Sequence, residues 1–204
     1  MDIISQVKEI KQSFRQMMDG SIARSMRDKG VDYKLNWGAT LPRLQEKAVA
    51  LGKNYDLAIA LWKENVRECK ILATLVMPPE RMFPELTDLW MEQTPTTEIA
   101  EQAAFNLFQY LEYASVFAYE WIASDNEIRQ VCGYQVISRL LMQGKMPDDR
   151  GVNELIDQAL CALQGQIPSV KHAATSCLSR LAEIDETYKL IVTQALKTIG
   201  LELF

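Results

Sequence analysis

The chain has 204 residues, of which 48% are hydrophobic and 24% charged, with a formal net charge of −5. That length fits one domain able to bury a core without disulfides or metals, and the composition excludes the low-hydropathy class of disordered chains. No run approaches the roughly eighteen apolar residues that a membrane-spanning helix needs, and the mixed charges of the first ten residues predict no secretory signal.

The pattern along the chain predicts helices throughout. Ile3, Val7, Ile10, Phe14 and Met17 recur at three- and four-residue steps and predict a first helix over residues 3–18 that stops at Gly20. A short helix over 22–27 ends near Gly30, and 31–40 reads as a connector. Helices follow over 41–51, 54–64 with Asn54 as cap, and 65–77 before Pro78. The segment 79–93 opens with proline in its first turn, and Pro84 kinks it or marks its real start. The next helix covers 96–113, with Thr96 or Thr97 as cap and early glutamates suited to its positive end. Further helices span 115–123, 126–143 capped by Ser124-Asp125 and ended by Gly144, 148–163, 169–184 and 185–200.

Apart from the short helix over 22–27, that makes about ten or eleven helices with short links and no segment of sustained strand alternation. Helix pairs of roughly 35–45 residues match the period of HEAT and armadillo arrays. The expected fold is therefore an all-α, HEAT/armadillo-like superhelix of antiparallel helix pairs. It forms one domain over 1–204, with basic N-terminal helices in 1–34 and a repeat array in 35–204. A helical bundle is the other architecture, but one four-helix core cannot bury ten helices.

Charge is distributed unevenly. Residues 1–53 hold ten Lys/Arg against six Asp/Glu, and residues 54–204 hold twelve against twenty-one. No Lys or Arg lies between Arg81 and Arg129, a stretch with nine acidic residues. Phosphate backbones are bound by Lys and Arg, so any nucleic-acid contact is expected on Lys8, Lys11, Arg15, Arg24, Arg27, Lys29 and Lys34. Of these, Lys8, Lys11 and Arg15 share one helix face; a solvated face is the plainer reading of the same residues. Cys69, Cys132, Cys161 and Cys177 lie apart in apolar helical stretches and read as buried free thiols of a reducing, cytoplasmic setting. With His172 as the single histidine, no zinc site and no cofactor are expected. The aromatic residues Tyr110, Tyr113, Phe117, Tyr119 and Trp121 have no base nearby and are read as core packing.

Three segments carry a family resemblance. Residues 57–75 have the form A-x-x-LW followed by R-E and an apolar helix; 90–108 have W-x-E, then E-Q and N-L-F; 119–137 have W, S-D and a helix with Cys132-Gly133. Their order and spacing resemble the AlkD-like DNA alkylation repair proteins, HEAT-like repeat DNA glycosylases and their relatives, over about residues 35–185. The resemblance implies excision of alkylated purines from a duplex held in a concave groove. Two tryptophans face the lesion, an aspartate stabilises positive charge developing on the sugar, and an arginine anchors phosphate.

Carried over by position, the first tryptophan falls on Thr97, the aspartate on Glu101, the arginine on Val131 and the second tryptophan on Ser176. Arg129 lies two residues from the arginine position, on another helix face. The expectation is a divergent member that acts as a non-catalytic scaffold for a protein or, weakly, for DNA. The alternative is an alkylpurine glycosylase with a rearranged site around Glu101.

Overall fold

A computed structural model describes residues 2–31 and 33–201, and among them there are twelve α-helices and no strand. The helices are α1 Ile3–Ser13, α2 Gly20–Asp28, α3 Leu41–Leu51, α4 Tyr55–Lys63, α5 Arg67–Val76, α6 Pro84–Glu92, α7 Thr97–Asn106, α8 Ala114–Ile122, α9 Glu127–Met142, α10 Asp149–Gln164, α11 Pro168–Ala182 and α12 Glu186–Thr198. Packing divides the chain into two units, Met1–Glu92 and Gln93–Phe204. None of the helices is long and apolar enough to cross a membrane among the described residues.

Local chemistry sets the ends. Asn54 accepts the Leu57 N–H, Thr96 the Ile99 N–H, Asp148 the Gly151 N–H and Asp185 the Tyr188 N–H, each satisfying an otherwise orphaned first-turn donor. The first helix is shorter than its apolar period suggests, because Phe14–Gln16 tighten into a 3-10 turn. Pro84 marks the true start of α6, and residues 79–81 form a separate 3-10 turn. The cap of α9 is Asn126, one residue beyond the expected Ser124-Asp125: its side chain accepts the Arg129 N–H at 3.0 Å.

In the first unit α4 packs against α1 and α5, and α3 against α5. The rings of Trp62 and Trp90 stack at 4.1 Å, and the buried Lys70 ammonium sits 4.3 Å from the Trp62 ring. Burial lowers the Lys70 pKa, and the aromatic face recovers part of the lost hydration. Lys53 donates to the carbonyls of Leu75 and Met77 and so closes the end of α5.

In the second unit α9 is central, with α7, α8 and α11 against it and α10 and α12 on α11. Phe108, Phe117 and Trp121 form a tilted ring cluster, joined by Tyr113 through Phe117. Tyr110 departs from the expected core packing and stands 58% exposed. Cys69, Cys132 and Cys177 are buried thiols, but Cys161 is exposed, on α10 in an open cleft also lined by Gln130 and Val170. Burial pushes Cys69 and Cys177 up to about 12 and raises Cys132 further, so these three stay protonated and inert.

Candidate nucleic-acid interface

The basic residues that the sequence singled out lie in the first unit. Helix α1 and its 3-10 turn place Lys8, Lys11 and Arg15 along one wall of a cleft of about 470 Å³, with Ile4, Val7, Trp37 and Ala60 among the other lining residues. Lys11 donates to Glu64 at 2.6 Å, and that bond raises its pKa. Lys8 and Arg15 are exposed. Arg24, Arg27, Lys29 and Lys34 are exposed as well but do not line the cleft, and Arg24 faces Asp28 at 4.0 Å.

Trp37 sits in the connector and is fixed through its backbone. Its N–H donates to both carboxylate oxygens of Glu68, at 3.1 and 3.2 Å, and its carbonyl accepts the Asp19 N–H at 2.9 Å. Glu68, fully buried, also accepts the Ala39 N–H and faces Arg67 at 3.2 Å, while Arg67 donates to the Ala39 carbonyl. Gly38 makes this turn possible: its φ is +71°, and a Cβ there would lie 2.1 Å from the Asp19 carbonyl oxygen. The sequence pointed to the basic face but not to Trp37, Glu64 or Glu68. A charged Arg67-Glu68 pair inside an otherwise apolar segment was the available signal, since such charges are buried only when paired.

In the second unit, Glu101 lies one turn into α7 and is solvent-accessible, yet the protein packed around it raises its pKa. The closeness of Glu98 adds to the rise and His172 opposes it. Exposure and a raised pKa together describe a carboxylate on a crowded surface, not in a dry pocket. Thr97 and Ser176 are half-buried. Val131 is 1% exposed and belongs to the core of α9. On the same unit the Ser169 hydroxyl donates to Glu127 at 2.5 Å. Of the tryptophans in the three motif segments, Trp62, Trp90 and Trp121 are all core residues at 1–2% exposure. No group of three or more metal-ligating side chains occurs among the described residues.

A profile of the DNA alkylation repair enzyme family matches residues 10–188. Among solved structures, the chain is similar to a member of a new family of proteins related to the HEAT-like repeat DNA glycosylases with affinity for branched DNA structures. The TM-score is 0.84 at 17% identity, covering 98% of this chain and 84% of that one. At that identity the likeness establishes the fold, an all-α HEAT-like array of helix pairs. No curated protein matches the chain.

Proposed function

The chain belongs to the DNA alkylation repair enzyme family, and from that premise we propose that it is a non-catalytic HEAT-like scaffold that binds DNA and has lost base excision. One observation carries the proposal. The four positions that the resemblance assigns to the family's chemistry hold Thr97, Glu101, Val131 and Ser176, and the one that should present a guanidinium lies in the core. No aromatic pair and no arginine is left at these positions to hold a damaged nucleotide, and a carboxylate alone supplies only one part of the electrostatics of excision.

Support for DNA as the partner comes from the basic wall of α1 and from the solved relative, whose family has affinity for branched DNA structures. The DNA contact is placed on Lys8, Lys11 and Arg15, with Arg24, Arg27 and Lys34 as outlying charges. A reducing, cytoplasmic setting suits the four free thiols. The alternative, an alkylpurine glycosylase working through Glu101, draws on family membership alone.

The test is a titration of duplex DNA across salt concentrations. Binding is expected to be modest at low salt and to fall steeply as salt rises. The double substitution Lys8→Ala/Arg15→Ala should weaken it and flatten the salt slope by up to about two, one per phosphate contact. Salt-dependent binding that ignores both substitutions would place the DNA surface elsewhere.

A further inference from the structure

We infer that the cleft of the first unit seats one unpaired nucleotide of a DNA strand, with its base against Trp37 and the apolar floor and its flanking phosphates on Lys8 and Arg15. This rests on the DNA-binding proposal and narrows it to a substrate class. The cleft, at about 470 Å³, falls within the range of roughly 300–1,000 Å³ for small-molecule sites. Its lining separates by chemistry. Ile4, Val7, Trp37 and Ala60 supply an apolar surface, and the cations Lys8, Lys11 and Arg15 stand on one wall.

Among the described residues the one carboxylate lining the cleft, Glu64, is held by Lys11 at 2.6 Å. The ion pair cancels the charge that would repel a phosphate and leaves Lys8 and Arg15, neither with an ion-pair partner among the described residues. Seven residues separate those two cations, roughly 10 Å along a helix axis. Their long side chains can close on phosphates either side of one splayed nucleotide. The Trp37 backbone is held through both its N–H and its carbonyl, which fixes where the side chain starts before a ligand arrives.

A base stacked in a duplex cannot enter a cleft, whereas an unpaired base can leave its stack for an aromatic surface. A free nucleotide has one phosphate and engages only half of the cationic wall. The expected ligand is therefore a strand with an unpaired position and not a soluble nucleotide.

Three probes separate the outcomes in a fluorescence-anisotropy titration at fixed low salt: an intact duplex, the same duplex with one extra unpaired nucleotide, and free deoxyadenosine monophosphate as competitor. The bulged duplex is expected to bind at least about fivefold tighter than the intact one. Ala60→Leu, which fills the floor without changing charge, should bring the affinity for the bulged duplex down to that for the intact one. Ile4→Gln, at a position 78% exposed, repeats the test without changing charge or touching the core and should likewise lower the preference. Equal affinity for the two duplexes overturns the inference while leaving DNA binding intact. So does a preference that survives both substitutions, or a monophosphate that competes as well as the oligonucleotide. Binding of neither duplex overturns the DNA-binding proposal together with it.

Discussion

Glu68 is fully buried, and its carboxylate survives there because Trp37, Ala39 and Arg67 all donate to it. A buried carboxylate costs several kcal/mol in lost hydration unless its lone pairs are met. Glu68→Gln should therefore lower stability by about 1.5–3 kcal/mol in a denaturant titration, since the Trp37 and Ala39 N–H groups would lose a charged acceptor. A change within experimental error would mean that the pair carries no structural weight. The adjacent Arg67-Glu68 pair was the one local sign of this clamp; its other partners, Trp37 and Ala39, lie 28–31 positions away and no local pattern announces them. Glu101 was legible as a first-turn carboxylate, but its environment was not. The protein packed around it first, then Glu98, raises its pKa from the ordinary carboxylate value, with His172 opposing. The folded chain thus holds a proton that the unfolded chain releases, and stability falls as pH rises through that window. Glu101→Gln should raise the melting temperature at neutral pH and have no effect at a pH where both states are protonated. An equal gain at both pH values would assign the effect to something other than titration.

Helices α8 and α9 approach closely at Gly133, where a Cβ would lie 2.7 Å from the Ala118 carbonyl oxygen and 3.0 Å from the Ile122 nitrogen. Backbone atoms cannot rotate aside as a side chain can. In an open helix Gly→Ala gains about 1 kcal/mol from propensity, whereas forcing atoms into packed space costs about 1–3 kcal/mol. Gly133→Ala should therefore destabilise the protein in thermal unfolding; a stabilised variant would show that the two helices can part freely. Helix caps and apolar periods were the most readable part of the fold: Asn54, Thr96 and Asp185 stand as caps at the starts that the sequence pointed to. Boundaries set by competition between turns were less so. Asn126 displaced Ser124-Asp125 because its own side chain reaches the Arg129 N–H, and the 3-10 turn at Phe14–Gln16 ended α1 early although the apolar period ran on. Tryptophans read as motif landmarks turned out to be packing residues, with Trp62 and Trp90 stacked on one another.

The imbalance of charge along the chain has a physical counterpart in each unit. The first offers a cleft walled by Lys8, Lys11 and Arg15, and the second carries Glu98, Glu101 and Glu127 on helices α7 and α9. The family frame is retained over residues 10–188. The basic face was visible in the sequence from spacing alone. The cleft was not, since it needs α4 and a connector fixed from α5. The proposal that excision has been lost is tested most directly by incubating the protein in excess with methylated duplex DNA and measuring the purine released over time. Release should stay at the spontaneous rate for the wild type and for Glu101→Ala alike. Release well above that rate, abolished by Glu101→Ala, would make the protein a working glycosylase.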